Sequence, residues 1–232
     1  MPVLYLVPSP LSDNSISWFL PQEVINVIHG LHQFIVEDVR TARRFLSKIK
    51  HPQKIENLSF RELNEHTSMK EIPDFLTFIR TADTGVISEA GLPAVADPGA
   101  EIVSLAHANS IQVVALTGPS AIFMALMASG LNGQSFAFAG YLPVKQNLRQ
   151  ARLRALEKRS KEEKQTQIFI ETPYRNMQLF DDIIKTCHPD TKLSIAANIT
   201  APDEFVRTKL IRQWKTNPPA INKIPTVFLL QG

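Results

Sequence analysis

The stretch from Gly85 to Gly99 constrains the fold more than any other part of the chain. It continues a short apolar strand, Thr84 to Ile87, and then breaks into a loop rich in glycine, proline and alanine. A helical pattern follows from Ala100 to Ala108. Small residues let a backbone approach a ligand closely, and α/β sheets usually bind ligands at the carboxyl ends of their strands. We therefore predict a ligand-binding loop here, although an ordinary strand-to-helix connection has a similar composition.

Short apolar strands alternate with helical segments along the first half of the chain. Strands are predicted at 3–7, 33–36, 55–58, 84–87 and 112–116, and in the second half at 136–139, 167–170, 192–196, 205–210 and 226–230. The alternation is typical of a parallel sheet with crossover helices, and the last strand is expected to be antiparallel to a neighbour. The sequence therefore predicts two α/β domains, 1–116 and 117–232, with mixed, mainly parallel sheets.

Charge and composition limit the class of protein. The 232 residues contain 25 Lys and Arg against 22 Asp and Glu, a formal net charge of +3. Basic residues cluster at 40–54, 145–164 and 207–223, which suits a polyanion such as RNA, although each cluster alone is also an ordinary solvated face. The single cysteine, Cys187, excludes an internal disulfide, and no apolar run is long enough to span a membrane. These features predict a cytoplasmic protein with no membrane segment.

Several common catalytic motifs are absent from the sequence. There is no Walker loop, Gly-x-Gly-x-x-Gly fingerprint, His-Glu-x-x-His helix or Gly-x-Ser-x-Gly elbow, and the histidines lack ligand spacing, so no metal site is predicted. What remains is a set of loops at strand ends. One of them, Thr117 to Ser120, stands at a helix start, where free backbone N–H groups suit a carboxylate or simply receive a capping side chain.

Five segments carry a family resemblance. They are Glu37-Asp38-Val39-Arg40 with Arg43, Ile87 to Pro93 with Asp97-Pro98-Gly99, Gly118 to Ala121, Gly140 to Pro143, and Glu171 to Arg175. In this order and spacing they resemble the tetrapyrrole methylase superfamily, and most closely its small-subunit ribosomal RNA 2′-O-methyltransferase I branch. The similarity extends over nearly the whole chain.

The resemblance implies a homodimeric enzyme that binds S-adenosylmethionine in a cleft between the two domains. The implied acceptor is a ribose 2′-hydroxyl of 16S ribosomal RNA. The donor would contact Pro8, Ala90, Gly91, Leu92, Val95, Ser120 and Ala121, together with Leu142, Ala197 and Thr226 in the second domain.

Charged residues near these segments are candidates for catalysis and RNA binding. A ribose hydroxyl is weakly acidic, so Asp38 and Glu89 are the candidate bases, each with a capping or salt-bridge role as the alternative. The cations placed to hold RNA phosphates are Arg40, Arg43, Arg44, Lys145 and Arg175. For Arg175, an internal ion pair with Glu171 is the alternative role.

Two segments depart from the family pattern. The first loop of the family reads Pro-Ile-Gly-Asn-Leu, whereas here it is Pro10-Leu11-Ser12-Asp13-Asn14. The family's Arg-Glu-Leu-Thr is replaced by Ala197-Asn198-Ile199-Thr200. Three hypotheses therefore stay open: an rRNA methyltransferase, a tetrapyrrole-methylase-like enzyme with another acceptor, and a non-catalytic protein that binds S-adenosylmethionine or RNA.

Overall fold

The computed structural model describes residues 2–12, 19–64, 67 and 71–232. The chain divides into two compact units, Met1–Ser120 and Ala121–Gly232, which are described separately. Asp13 and Asn14 of the altered first loop lie outside the described residues.

The N-terminal unit alternates strands and helices along the chain. Its elements are β1 (Val3–Val7), α1 (Gln22–His29), β2 (Gln33–Val36), α2 (Val39–Lys48), β3 (Ser59–Glu62), α3 (Ile72–Thr81), β4 (Thr84–Ile87), α4 (Gly99–Ala108) and β5 (Gln112–Ala115). The sheet has the order β3-β2-β4-β1-β5, and every pairing in it is parallel. The alternation in the sequence thus correctly predicted a parallel sheet with crossover helices.

Helices cover both faces of this parallel sheet. Helices α1 and α2 lie on one face, where Ile28 packs in the same buried cluster as Phe34. Helices α3 and α4 lie on the other, where Ile79 packs with Val86. The connections that follow β1 and β2 therefore leave on the opposite face from the one that follows β4. Open α/β sheets bind ligands at such a change of direction, beyond the carboxyl ends of the strands.

The third strand was predicted in the wrong place. Residues 55–58 were expected to form it, but Ile55–Asn57 is a 3₁₀ turn and the strand is Ser59–Glu62. This strand lies at the edge of the sheet, and most of its side chains are exposed. An edge strand with little burial needs no apolar run, so hydrophobicity did not reveal it.

The C-terminal unit contains a mixed sheet. Its elements are α5 (Ala121–Ser129), β6 (Phe136–Tyr141), α6 (Gln146–Glu163), β7 (Thr166–Ile170), a 3₁₀ turn (Pro173–Arg175), α7 (Asn176–Thr186), β8 (Lys192–Ala197), β9 (Phe205–Leu210), α8 (Ile211–Thr216) and β10 (Thr226–Gln231). The sheet order is β6-β7-β10-β8-β9. Strands β6 and β7 are parallel, and the other pairings are antiparallel. The antiparallel pairing expected for the last strand is confirmed.

Two local predictions in this unit needed correction. Strand β6 was expected to end at Ala139, but it continues to Tyr141 through a shift of register at Gly140, which has a φ of 66°. Helix α8 was not predicted at all. It is six residues long, and its burial rests on Ile211 and Trp214. So short a helix gives too few turns for a periodic pattern.

Candidate functional site

The first loop is joined to the central loop by backbone hydrogen bonds. Ser9 N–H donates to the Gly91 carbonyl at 2.9 Å, and Gly91 N–H donates to the Ser9 carbonyl at 3.1 Å. The buried Ser9 hydroxyl also donates to the Ser88 carbonyl at 2.9 Å. Strands β1 and β4 are neighbours in the sheet, so their carboxyl ends bring these loops together. Ser9 was not singled out in the sequence, because its partners are far away along the chain.

Two glycines allow this close approach of backbone segments. Gly91 has a φ of 79°, a left-handed conformation that a Cβ disfavours. A Cβ on Gly118 would come within 2.1 Å of Pro8 Cβ, a distance at which the atoms overlap. The segment that follows β5 can therefore lie against Pro8 because residue 118 has no side chain. Pro8, Gly91 and Ser120 belong to this loop cluster, and their role in cofactor binding stays a prediction.

The second half of the central loop is held by Asp97. Its Oδ1 accepts hydrogen bonds from Ala94 N–H at 2.8 Å and from Gly99 N–H at 2.7 Å. Ala94 and Ala96 both have left-handed φ values, 66° and 62°, which are rare for residues with a Cβ. The carboxylate thus stabilises an unfavourable backbone that presents Val95 on the surface with 42% exposure. Leu92 is partly buried in the same loop.

Burial changes the acidity of this carboxyl group. The other oxygen of Asp97, Oδ2, is buried and receives no hydrogen bond from the described residues. Burial raises the pKa of Asp97 above its ordinary value, against the lowering effect of the two backbone hydrogen bonds and with a further increase from the charge of Glu37. The carboxyl group is therefore easier to protonate than one in water.

The two candidate bases have different environments. Asp38 caps helix α2, because its Oδ1 accepts from Thr41 N–H at 2.6 Å. This hydrogen bond is the main reason that the pKa of Asp38 is lowered. Glu89 is exposed at the end of β4, and desolvation together with the charges of Glu37 and Asp38 raises its pKa. The raised pKa makes Glu89 the better proton acceptor of the two.

A cavity of about 310 Å³ opens beside the central loop in the N-terminal unit. Its wall is formed by residues 9–12 of the first loop, residues 87–90 after β4, and one side of helix α2. Helix α2 contributes Arg44 and Lys48 to this wall, and Glu89 is also among the residues that line the cavity. Arg40 and Arg43 are exposed on the same helix, and the Arg43 guanidinium lies 5.3 Å from the centre of the Phe60 ring.

In the C-terminal unit, three predicted cofactor residues belong to the buried sheet and its edge. Ala197 of β8 and Thr226 of β10 are directly paired, and Leu142 is buried just beyond β6. All three residues are almost entirely inaccessible in the C-terminal unit, and their role in cofactor binding stays a prediction. Ala121 is the first residue of α5. Lys145 is exposed immediately before α6.

A buried ion pair fixes the turn that follows Leu142. Arg149 is 1% exposed, and its guanidinium contacts Asp182 of α7 at 2.6 Å. The same guanidinium donates to the carbonyls of Val144 at 2.7 Å and Pro143 at 3.3 Å. Burial raises the pKa of Asp182, but hydrogen bonds from two glutamines and Arg149 outweigh it, and the net shift is downward. Arg149 was not recognised in the sequence, where it is one of many cations in a charged helix.

A second buried carboxylate shapes the turn that follows β7. Glu171 is 4% exposed, and its Oε1 accepts from Thr172 N–H at 2.7 Å and from Arg175 at 2.6 and 3.0 Å. This is the internal ion pair that the sequence left open as the alternative role of Arg175. The Arg175 side chain is nevertheless 33% exposed, so part of it faces solvent.

Two acidic side chains hold the segment after β8 that departs from the family pattern. Asn198 and Thr200 have left-handed φ values of 49° and 72°. The Asn198 side chain donates to Asp203 at 2.7 Å, and Thr200 N–H donates to Glu204 at 2.7 Å. The replacement of charged family residues here thus coincides with a tight turn whose polar groups bond one another.

Comparison with known proteins decides the family. The model of the Tetrapyrrole (Corrin/Porphyrin) Methylases matches residues 18–214. The chain belongs to the tetrapyrrole methylase family. The resemblance inferred from the five motifs is confirmed, and with it the assignment of the chain to a family of methyltransferases.

Curated relatives of this tetrapyrrole methylase are named "Ribosomal RNA small subunit methyltransferase I". The one from Halalkalibacterium halodurans is 34% identical over 208 residues, which cover 89% of this chain and 68% of that protein. The one from Vibrio cholerae serotype O1 is 29% identical over 206 residues, with the same two coverages. The one from Bacillus subtilis strain 168 is 31% identical over 210 residues, covering 89% of this chain and 67% of the relative.

Solved structures support the fold of this tetrapyrrole methylase. The methyltransferase CobJ has a TM-score of 0.67 at 14% identity and covers 100% of this chain and 95% of its own. The uroporphyrin-III-C-methyltransferase from Thermus thermophilus has a TM-score of 0.59 at 14% identity, with coverages of 100% and 94%. The predicted two-sheet α/β fold is thereby confirmed.

In the described residues of this tetrapyrrole methylase, no group of three or more His, Cys, Asp or Glu side chains is arranged to hold a metal ion. None of the helices in the described part of the chain is both long and apolar enough to cross a membrane.

Proposed function

We propose that the chain is an S-adenosylmethionine-dependent methyltransferase that modifies a ribose 2′-hydroxyl of 16S ribosomal RNA. The names of the curated relatives support ribosomal RNA as the acceptor. The observation that carries the proposal is the cavity beside the central loop. Its lining includes Glu89, whose pKa is raised, together with Arg44 and Lys48, whose positive charges are complementary to the phosphates of an RNA backbone.

The donor would be held by loops that the backbone shapes. In the N-terminal unit these residues are Pro8, Ala90, Gly91, Leu92, Val95 and Ser120, and in the C-terminal unit they are Ala121, Leu142, Ala197 and Thr226. The residues fit such a group, because Gly91 and Gly118 allow backbone segments to meet at the strand ends and small side chains leave the loop surface accessible. S-adenosylmethionine supplies, when bound, a methyl group that is already activated on a sulfonium, so the chemistry needs mainly correct placement of the acceptor.

The residues of the cavity would place and activate the acceptor. The Glu89 carboxylate takes the proton of the ribose hydroxyl as the oxygen becomes nucleophilic, and its raised pKa makes it a stronger base than an ordinary carboxylate. Arg44 and Lys48 hold the neighbouring phosphates, and Arg40 and Arg43 of the same helix, with Lys145 and Arg175 of the C-terminal unit, are further candidate contacts to RNA phosphates. Asp38 is the weaker candidate for the base, because its carboxylate is occupied as the cap of α2.

The proposal includes the homodimer and the cytoplasmic location implied by the family resemblance. The second hypothesis differs from this proposal only in the molecule that accepts the methyl group. The third differs because no methyl group is transferred. A tetrapyrrole methylase with another acceptor would bind the donor and transfer methyl to a tetrapyrrole. A non-catalytic relative would bind the donor or RNA without any transfer.

The direct test is methyl transfer from tritium-labelled S-adenosylmethionine to small ribosomal subunits and to free 16S ribosomal RNA. A 2′-O-methyl group blocks alkaline cleavage at the next phosphate, so the label should appear in alkali-resistant dinucleotides. We expect Glu89→Gln to lower the rate constant of transfer by about 10²–10⁴-fold. The wild-type rate should fall as the pH is lowered through the raised pKa of Glu89, and the variant should lose this dependence.

The matched control is Glu23→Gln, which removes an exposed carboxylate from α1, away from the cavity lining. It should keep the wild-type rate and pH profile. Label in alkali-sensitive positions, or in an added tetrapyrrole instead of RNA, would contradict the ribose assignment. Absence of transfer by a wild-type protein that binds the donor would favour the non-catalytic hypothesis.

A further inference from the structure

Tyr174 is unusually exposed for an aromatic side chain. The residue is 77% exposed, and it stands in the middle of the 3₁₀ turn Pro173–Arg175. A tyrosine in a folded protein normally has its ring at least partly packed, because the ring contributes a large apolar area. A ring that stands free on the surface is available to stack on another flat group.

The turn that carries Tyr174 is held in place by hydrogen bonds of two buried side chains. The buried Glu171 accepts hydrogen bonds from Thr172 N–H and from the Arg175 guanidinium, so a charged network closes the turn. The fully buried Asn176 donates its side-chain amide to the Ile224 carbonyl at 2.6 Å. The backbone around Tyr174 is therefore fixed by these hydrogen bonds, and the turn loses little conformational entropy when a partner binds.

Asn176 connects this turn to a second turn that presents Lys223. Lys223 N–H donates to the Pro173 carbonyl at 3.0 Å. Lys223 has a φ of 61°, a left-handed conformation that is unfavourable for a residue with a Cβ. Its ammonium lies over the Tyr174 ring, 5.9 Å from the ring centre. An unfavourable backbone conformation thus places a cation against the exposed ring.

We propose that Tyr174 and Lys223 form a stacking site for an unpaired nucleobase of the RNA substrate. This inference rests on the proposed function, since it names how part of the substrate is recognised. Unpaired bases of RNA bind proteins by stacking on aromatic rings, and cations beside the ring hold the adjacent phosphates. Lys223 lies over one face of the ring, and the base would stack on the opposite face.

The charge around the ring favours RNA over an apolar protein partner. The Lys223 ammonium lies 5.9 Å from the ring centre, and Arg175, which follows Tyr174 in the turn, is 33% exposed. A partner with phosphates beside a flat base is complementary to this pairing of ring and cation, whereas an apolar partner would leave the Lys223 charge without a counterpart. The combination of a free ring and flanking cations is the arrangement used for single-stranded nucleic acid.

The test is the affinity for a fluorescein-labelled, single-stranded RNA of about 12 nucleotides and mixed sequence, measured by fluorescence anisotropy. Tyr174→Ala should weaken binding by about 5–150-fold, the loss found when one stacked base loses its aromatic partner. Tyr174→Phe should retain the wild-type affinity, because a phenyl ring stacks equally well. Affinity for S-adenosylmethionine, measured by calorimetry, should be the same in all three proteins.

The salt dependence of the RNA affinity distinguishes the contribution of the Tyr174 ring from that of the Lys223 cation. Lys223→Ala should reduce the slope of log affinity against log salt concentration by roughly 0.7, because one phosphate contact is lost. Tyr174→Ala should leave that slope unchanged. Lys185→Ala, which removes an exposed lysine from α7, is the charge-matched control and should change neither affinity nor slope.

The outcomes distinguish the inference from the proposed function. If the wild-type protein does not bind the oligonucleotide, the stacking site is overturned, whereas the proposed function is decided by methyl transfer to 16S ribosomal RNA. If wild-type protein binds RNA and Tyr174→Ala binds it equally well, only the stacking site is overturned. Equal losses in Tyr174→Ala and Tyr174→Phe would also overturn it, because the hydroxyl and not the ring would then make the contact.

Discussion

The two units of this tetrapyrrole methylase build their loops in different ways. In the N-terminal unit the loops at the strand ends are shaped by the backbone: Ser9 bonds Gly91, Gly118 lies against Pro8, and two alanines adopt left-handed conformations. In the C-terminal unit the turns are held by buried side chains. Arg149 with Asp182, and Glu171 with Arg175, fix the segments after β6 and β7.

The sheets set the positions of these loops. All strands of the N-terminal sheet are parallel, so their carboxyl ends meet at one edge and their loops can bond one another directly. In the C-terminal sheet β6 and β7 are also parallel, but Arg149 and Asp182 tie the turn after β6 to helix α7, and Glu171 and Arg175 close the turn after β7. The account therefore predicts that glycine positions matter most in one unit and buried charges most in the other.

The largest effect is expected from breaking the buried ion pair. Arg149→Met leaves the Asp182 carboxylate buried without its cation and should lower the free energy of unfolding by about 3–5 kcal/mol. Chemical denaturation followed by circular dichroism measures it. The matched control is Arg159→Met, because Arg159 forms an exposed ion pair with Glu163 and should contribute less than about 1 kcal/mol.

A double variant sharpens this prediction. Arg149→Met combined with Asp182→Leu removes both charges, and it should recover much of the lost stability. If Arg149→Met were as stable as Arg159→Met, the turn after Leu142 would not depend on the buried ion pair. The claim that buried charges hold the turns of the C-terminal unit would then be wrong.

The next effect concerns the closest backbone approach in the N-terminal unit. Gly118→Ala would place a methyl group inside the Pro8 ring, which cannot move aside like a flexible side chain. We expect a loss of roughly 1–3 kcal/mol of stability, together with weaker binding of the donor. Thermal unfolding and calorimetry measure the two effects.

The control for this substitution is Gly133→Ala. A Cβ at Gly133 meets no atom of the described residues within 4 Å, and Gly133 does not have a positive φ. It should behave like the wild type or be slightly more stable, because alanine restricts the unfolded chain. A Gly118→Ala protein as stable as Gly133→Ala would show that β1 and β5 do not need this contact.

A smaller effect should separate the hydrogen bonds of Asp97 from its charge. Asp97→Ala removes the acceptor for Ala94 and Gly99 N–H and should cost about 1–3 kcal/mol. Asp97→Asn keeps an oxygen at this position and should cost less. Both are measured by denaturation at several pH values.

The pH dependence of Asp97 has a definite sign. Because the folded protein raises the pKa of this carboxyl, it binds the proton more tightly than the unfolded chain does. The resulting stabilisation is complete below the unfolded pKa and is lost as the pH rises through the folded pKa. The stability of Asp97→Asn relative to wild type should therefore increase over that pH window. A relative stability that decreases there would contradict the raised pKa.

Local features explain what the sequence could predict. The apolar runs of β1, β2, β4 and β5 and the small residues after β4 are signals within a few neighbouring positions. They were sufficient for the α/β fold and for the order of the strands and loops, although several strand ends were misplaced. The five motifs also identified the family, because it is recognised by the order of the motifs along the chain, which composition does not reveal.

Contacts between distant residues explain what the sequence could not predict. Ser9 and Ser88 are 79 positions apart, and Arg149 and Asp182 are 33 apart, so no local pattern marks either pair. The edge strand β3 was misplaced because its exposed side chains need no apolar run. The cap formed by Asp97 was missed because its left-handed neighbours are alanines and not the glycines that usually indicate such turns.

The central claim is that the loop after β4 binds the donor, and calorimetric titration with S-adenosylmethionine tests it most directly. We predict saturable binding to the wild type and to Gly133→Arg, and no binding to Gly91→Arg. Because Gly91 has a positive φ, Ala90→Trp serves as a second variant at an exposed position whose φ is not positive, and it should also lose binding. Wild-type affinity in a folded Ala90→Trp protein, or no binding by the wild type, would contradict the account.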